Sequence, residues 1–349
     1  MSETFQTLYP LQFAPVFRSY IWGGRGLYDY LGKAIPDEGA WAESWEIVDH
    51  GPDQSIINHG PLAGTTLGQA IARHPREILG DVVFQSQTTS TSGHRQLHFP
   101  LLLKYLDCHQ VLSVQVHPDD AYGLKMSQPD HGKTEAWYVV EAKPEAIIYA
   151  GLLSGVTRKD LAAAIAAGKT ETCLHQIKPQ RGDCVFIPAG TVHALGSGLI
   201  VAEIQQSSDT TFRLFDWNRV DAQGKSRPLH IEQALDVIDY TRGPVSPQIP
   251  QNLPSNVNTE PRHDSLVKCS IFHIERLSGC GSCQVNQPGR FTLLTLPAGQ
   301  GVLSWAKEKI NLKAGDSVLI PASTPTVSWE SSDPAAVVLT ARHGDDMIE

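Results

Sequence analysis

Gly182-Asp-Cys-Val-Phe-Ile-Pro-Ala189 recurs as Gly315-Asp-Ser-Val-Leu-Ile-Pro-Ala322, 133 residues further along and identical at six of the eight positions. Each copy reads as a turn opened by glycine, a short apolar strand and a Pro-Ala turn. A phrase repeated at that distance predicts two β units in tandem. The runs 100–106, 111–117 and 136–140 are short, β-rich and separated by turn residues, the pattern of a sandwich or barrel. With 29 Gly and 23 Pro in 349 residues, turns are plentiful, which favours an all-β architecture over a helical bundle.

Helices are expected only at the periphery. Leu67, Ala70 and Ile71 stand at helical spacing before an interruption at Pro75. Thr157-Arg-Lys-Asp160 has the form of a helix N-cap with an acidic residue three positions on. Pro228 opens a second candidate, with Ile231, Ala234, Leu235 and Ile238 on one face. Residues 17–26 read as a strand running into a Gly-rich turn, and 41–48 as a half-buried strand. The polar stretch 85–96 reads as a loop. Residues 243–258, rich in Pro, Gln and Asn, have no periodicity and read as a linker. The expected organisation is a catalytic unit over 1–242, a linker over 243–258 and a second β unit over 259–349.

Lys and Arg number 28 against 37 Asp and Glu, a net charge of −9. Such a chain repels polyanions, so neither nucleic acid nor an anionic membrane surface is expected as its main partner. Residues 1–12 have neither the basic nor the apolar region of a signal peptide, and no run of about 18 apolar residues occurs. A cytoplasmic protein is expected. Six scattered cysteines do not make a disulfide framework, and Cys280-Gly-Ser-Cys283 reads as two surface thiols in a Gly/Ser turn.

The two copies diverge beyond the shared phrase. The first leads to His193, whereas the second has Thr326 at the equivalent place. The first unit therefore keeps a ligand-capable side chain and the second does not. Gly182-x5-Pro188-x-Gly190-x2-His193 resembles the second motif of cupins. The first cupin motif has its counterpart in Gln115-Val-His117 followed by Glu135. Alternate residues of a strand share a face, so Gln115 and His117 can both point inward. Two imidazoles, a carboxylate and an amide oxygen, with no thiolate, suit zinc or another divalent first-row ion. A neutral amide leaves that ion a strong Lewis acid, which favours redox-inert chemistry on a substrate oxygen. No Gly-rich phosphate loop points to a nucleotide cofactor.

Over about residues 17–240 the sequence resembles type I mannose-6-phosphate isomerase in its shorter bacterial form. The matching stretches are Tyr20-Ile-Trp-Gly-Gly24, Glu43-Ser-Trp-Glu46, Pro100-Leu-Leu-Leu-Lys104, Val111-Leu-Ser-Val-Gln-Val-His-Pro-Asp119, Gly132-Lys-Thr-Glu-Ala-Trp137, Ile187-Pro-Ala-Gly-Thr-Val-His-Ala194 and Ser207-Ser-Asp-Thr-Thr-Phe-Arg213. The resemblance implies two cupin-type jelly-roll barrels and interconversion of mannose 6-phosphate and fructose 6-phosphate through a cis-enediol. It implies one zinc on Gln115, His117, Glu135 and His193. Arg213 matches the family's active-site arginine and Asp209 the acidic residue before it. Lys133, Lys104, Glu43 and Glu203 match cavity positions. Longer members carry His-Lys-Pro-Glu where this chain has Gly132-Lys-Thr-Glu135, so a base assigned to that His has no counterpart here.

The isomerisation needs positive charge beside the sugar oxygens and a general base near the carbon. Arg213 and the ion supply the first; Lys133 and Glu203 are the two candidates for the second. Lys133 is equally suited to anchoring a phosphate. Glu203 is alternatively a partner of Lys104 or Arg213. Lys104, a lone charge in an apolar run, reads as a pocket-facing phosphate ligand. Asp209 and Arg213 read as a loop pair at the cavity mouth, and Trp22, Trp41, Trp45 and Trp137 as core or cavity wall. Three other readings remain open at this level: a non-catalytic sugar-binding or regulatory bicupin, an isomerase of a different sugar phosphate, and a metal-dependent oxygenase. Monomer and dimer are both compatible with the sequence.

Overall fold

The computed structural model describes residues 7–89, 97–220, 224–256 and 258–344. The repeat seen in eight residues extends through two whole β units. In the first, a six-stranded sheet runs in the spatial order Cys184–Ile187, Glu135–Ala142, Leu199–Gln206, Leu101–Cys108, Glu43–Ile47, Val16–Arg18. In the second, Ser317–Ile320, Thr292–Ala298, Val337–His343, Phe272–Ser278, Arg262–Lys268 and Gln251–Asn252 stand in the same order. The smaller sheets also correspond. The first unit has Leu174–Ile177, Ile148–Leu152, His193–Leu195, Val114–Val116 and Phe212–Phe215; the second has Glu308–Lys313, Gln300–Trp305, Val327–Ser331 and Gly281–Gln284. Among the described residues, the strand carrying Arg213 has no counterpart in the second unit's smaller sheet. The chain is an all-β, cupin-type protein with peripheral helices.

The repeated phrase builds the same corner twice. Gly182 and Gly315 both take a left-handed backbone, at φ 92° and 88°, which a side chain would strain. Asp183 accepts the Gln180 amide at 2.8 Å, and Asp316 accepts the Lys313 amide at 2.9 Å. After each strand a Pro-Ala turn closes through Thr191 N–H to Pro188 O and Thr324 N–H to Pro321 O.

Each unit packs its two sheets face to face. In the first, Trp137, Val139, Val185 and Val201 of one sheet meet Ile148, Ala150 and Leu195 of the other. In the second, Leu294, Leu296, Val318 and Val338 meet Leu303, Leu312, Val327 and Trp329, so its interior is filled with apolar side chains. The outer faces of the two six-stranded sheets share a third core. Leu101, Leu103, Tyr138 and Ile204 pack there with Phe272, Ile274, Leu293 and Leu339, joined by Leu67, Ile71, Ile78 and Leu79 from the short N-terminal helices. Helices Arg158–Ala166 and Ile231–Val237 cover the outer face of the first unit's smaller sheet. Thr157 and Asp160 form the expected capping box.

Several expectations need correction. The strand at 41–48 is realised as Glu43–Ile47 and is buried throughout rather than half-buried, because the shared core covers its outer side. The polar loop expected from residue 85 is helical as far as Thr89, within Asp81–Thr89; 90–96 lie outside the described residues, as do 1–6. Its polar side chains belong to a short helix that buries little besides Val83. Cys280 and Cys283 do not share a turn. The chain turns at Gly279, and Cys283 lies in Gly281–Gln284, paired with Val327–Ser331. Within the expected linker, Val245 N–H bonds Ala150 O, Gln248 N–H bonds Cys184 O, and Gln251–Asn252 pairs with Arg262–Lys268. Among the described residues no helix is long and apolar enough to cross a membrane.

Candidate active site

The first unit's interior opens into a cavity of about 340 Å³, the size of a small-molecule pocket. Strand alternation aims the charged groups into it. In Leu101–Cys108, Lys104 faces inward while Leu103 and Tyr105 face the shared core. In Leu199–Gln206, Glu203 faces inward between outward-facing Ala202 and Ile204. The register sets Glu203 across from Lys104 on one side and Trp137 on the other, with Glu135 across from Gln205. His193 pairs with Gln115, which pairs in turn with Arg213. Gly190, at φ 82°, makes the turn that delivers His193; its N–H bonds the His117 carbonyl.

His117, Glu135 and His193 converge, each 1% exposed, with one ligand atom apiece within 4.8 Å of the others. Nε2 of His117 is 3.5 Å from Glu135 Oε2, and Nε2 of His193 is 3.4 Å from Oε1. Each ring's Nδ1 lies 2.9 Å from a carbonyl, of Thr210 for His117 and Thr191 for His193. Those carbonyls hold a proton on Nδ1 and leave the Nε2 lone pair facing Glu135. Burial first, then the Lys133 charge, holds His117 well below its usual value; burial, with help from Lys133, takes His193 to about 4. Both imidazoles are therefore neutral at pH 7, the ligand form. Gln115 completes the group, its amide nitrogen 3.2 Å from His193 Nε2. Half a turn of that amide presents its oxygen instead.

The donor set fits a divalent cation. Of the two buried oxygens of Glu135, Oε1 has no hydrogen-bond partner and Oε2 has only the Lys133 ammonium as a donor, an under-satisfied state that a cation would relieve. Burial first, and Glu203's charge second, raise Glu135 to about 7. Two lysines, Lys104 and Lys133, stand against the three carboxyl groups of Glu43, Glu135 and Glu203. Lys133 Nζ is 3.2 Å from Glu135 Oε2 and 3.3 Å from His117 Nε2, so an ammonium already stands beside the place a cation suits. The second unit has lost this set. Thr292, paired with Ile320 as Glu135 is with Ile187, stands at the carboxylate's place. Asn286 closes that end of the unit by bonding the Thr324 and Pro325 carbonyls and the Val327 amide.

The remaining predicted residues gather around the same cavity. Glu43, Lys104, Lys133, Glu203, Asp209 and Arg213 all line it with Gln115 and His193; His117 and Glu135 lie just behind. Glu203 Oε1 is 3.1 Å from Lys104 Nζ and 3.8 Å from Lys133 Nζ, and its other oxygen accepts from Trp137 Nε1 at 3.1 Å. Burial alone would raise the Glu203 carboxyl, but the two lysines hold it below its usual value. Burial likewise opposes the charge of Lys104, and Glu203, Glu43 and Glu135 outweigh it, so its pKa is raised. Glu43 accepts from Trp45 Nε1 at 2.5 Å. Trp22 and Trp137 form cavity wall, Trp45 is buried core, and Trp41 is partly buried.

The expected Asp209–Arg213 pair is not formed. Arg213 Nε instead donates to Ser113 Oγ at 3.2 Å and Nη1 to the Pro228 carbonyl at 2.9 Å. Arg227 is a cavity residue that the sequence reading missed. It bonds Asp216 through Nε at 2.8 Å and Nη2 at 2.5 Å, and Arg219 bonds the same carboxylate. Arg213 and Arg227 reach the cavity, and Arg219 stands with Arg227 on Asp216. Burial and the other two guanidinium groups lower Arg213 from its usual value.

A family model of the type I phosphomannose isomerase catalytic domain matches residues 10–164. Mannose-6-phosphate isomerase ManA of Bacillus subtilis is 35% identical over 90% of this chain and 94% of its own length. Mannose-6-phosphate isomerase of Streptococcus mutans is 35% identical over 92% and 94%. The crystal structure of the mannose 6-phosphate isomerase from Bacillus subtilis superposes with a TM-score of 0.82 at 30% identity, covering 96% of this chain and 99% of that one. With the fold, the cavity and near full-length relatives in agreement, the chain belongs to the type I phosphomannose isomerase family.

Proposed function

We propose that this protein interconverts mannose 6-phosphate and fructose 6-phosphate through a cis-enediol, with one zinc held by Gln115, His117, Glu135 and His193. The observation that carries the reading is the convergence of two neutral, carbonyl-oriented imidazoles on a buried carboxylate with one oxygen left without a hydrogen-bond partner, in the wall of a charged cavity. A bound divalent ion supplies a Lewis acid that polarises the substrate oxygen and stabilises enediolate charge.

The chain's own residues divide the remaining work. Arg213 and Arg227, with Ser113 beside them, form the positive mouth that receives the phosphate dianion. Lys104 is tied to Glu203 and Glu43, so we assign it to holding Glu203 ionised and in place rather than to the phosphate. Lys133 and Glu203, 3.8 Å apart, are assigned the proton transfer between C1 and C2. Glu43 and Asp209 face the cavity as acceptors for sugar hydroxyls. The walls of Trp22, Trp137, Leu106 and Leu195 limit water around the reacting carbons.

The test is a coupled assay of mannose 6-phosphate turnover, with metal content measured on the same sample. Turnover that vanishes with chelator and returns with zinc is expected. His193→Ala is expected to lose bound metal and activity while its far-ultraviolet circular dichroism stays that of the parent. Full metal occupancy in that variant would overturn the ligand assignment. A metal-loaded parent with no turnover would redirect the reading to another sugar phosphate or to a non-catalytic binder.

A further inference from the structure

Asp130 does not line the cavity. It lies on the segment leading into Lys133 and Glu135, with its side chain 15% exposed. One carboxylate oxygen accepts from Thr210 Oγ1 at 2.7 Å, Ser208 Oγ at 2.9 Å and the Asp209 amide at 3.3 Å. The other accepts from the His131 amide at 2.8 Å, with His50 Nδ1 at 4.0 Å. A single side chain thus gathers three consecutive residues, 208 to 210. They join the strand of Glu203 to the strand of Arg213. The Thr210 carbonyl is the group that holds Nδ1 of His117, at 2.9 Å.

The clamp is well made. Burial would raise the Asp130 carboxyl, but the Thr210 and Ser208 hydroxyls, His50 and the His131 amide hold it below its usual value. The donors therefore meet an anion, and hydrogen bonds to an ionised acceptor are the stronger kind. Gln205 Nε2 reinforces the segment by donating to the Ser208 carbonyl at 2.7 Å.

We infer that Asp130 is a positioning residue for the metal centre: by fixing the 208–210 segment it fixes the Thr210 carbonyl, and through that carbonyl the ring orientation and tautomer of His117. The inference rests on His117 being a metal ligand. Groups that orient a ligating histidine typically account for about 10- to 100-fold in metal affinity. A clamp that merely tied down a loop would alter stability and leave metal binding alone.

The experiment titrates zinc into metal-free full-length protein against a chromophoric chelator, and records the visible spectrum of the cobalt form. Asp130→Ala is expected to weaken zinc binding about 10- to 100-fold and to shift the cobalt bands. Asp130→Asn, which keeps one acceptor oxygen, is expected to fall between it and the parent. It also carries the test if the alanine variant does not fold. Thr210→Val, which removes a clamped hydroxyl and keeps the carbonyl, is expected to weaken binding less than Asp130→Ala. Parent-like affinity and spectrum in both Asp130 variants would overturn the positioning role while leaving the metal centre intact. A parent protein that takes up no stoichiometric zinc, or a His117→Ala variant that binds it normally, would overturn the metal reading itself and the inference with it.

Discussion

Arg213 shows how a single residue inherits its task from its neighbours. It is half-surrounded by protein, shares its region with Arg219 and Arg227, and uses its Nε and Nη1 on Ser113 and the Pro228 carbonyl. Removing one preorganised cationic donor typically costs about 10²- to 10³-fold in rate. Arg213→Ala is therefore expected to lower kcat/KM by about 10²-fold or more with metal content unchanged, and Arg213→Lys to recover part of it. Steady-state kinetics beside metal analysis checks this, and unchanged turnover would remove Arg213 from the mechanism. The candidate metal-binding group was legible in the sequence because His117, Glu135 and His193, with Gln115 beside them, sit at strand positions whose alternation and order carry geometry. Arg227 was not. It stands in a polar stretch without periodicity, and only the return of the chain past Asp216 brings it beside Arg213. Asp130 was equally hidden, because its three partners lie 78 to 80 residues away in sequence.

Elements succeed or fail by what covers their faces. The strand Leu101–Cys108 is buried at every position, and no alternation marks it because Lys104 is its only cavity-facing charge. The capping box at Thr157 was visible because its hydrogen bonds are local. The helix Asp81–Thr89 was not, because its composition is polar and only its position against the N-terminal helices makes it one. The hairpin from Gln300–Trp305 to Glu308–Lys313 offers a test of local strain. Its two-residue connection places Ala306 at φ 49°, a region costing an L-residue roughly 1–2 kcal/mol that glycine occupies freely. The greater unfolded-state freedom of glycine offsets about 0.4–1 kcal/mol of that gain. Ala306→Gly is accordingly expected to raise stability by roughly 0.5–1 kcal/mol, seen as a higher denaturant midpoint at unchanged slope. A lower midpoint would show that the residue is not strained.

At the scale of the whole molecule, the second unit has an apolar filling where the first carries the His117, Glu135 and His193 group, and it packs the outer face of its six-stranded sheet against its neighbour. Polar links cross the same boundary. Tyr105 Oη meets Thr295 Oγ1 at 2.6 Å, and Lys33, paired with Glu46, donates to the Gly315 carbonyl at 2.5 Å. Arg276 of the second unit donates to the Gly182 carbonyl at 3.2 Å, and so grips the corner of the first unit's repeated phrase. Arg276 is itself held by Asp264, which is fully buried and bonded at 2.6 and 3.2 Å, with Arg262 at 3.0 Å on the other oxygen. Burial would raise the Asp264 carboxyl, yet the arginine bonds prevail and hold it below the usual 3.8. A carboxylate whose folded value is depressed adds stability that is fully present above its unfolded value and is lost as pH falls through its folded value. Asp264→Asn is therefore expected to destabilise by about 3 kcal/mol at neutral pH, the order found when one partner of a buried pair is removed. Because Arg276 spans both units, that loss should appear in one cooperative transition rather than in a separate melting of residues 259–349. As pH falls from about 4 toward the depressed folded value, the parent loses that contribution progressively, so the gap between the two proteins should narrow with falling pH. Urea unfolding from pH 7 to pH 3 measures it. A gap independent of pH would mean that shape, and not the charge on Asp264, ties the second unit to the first.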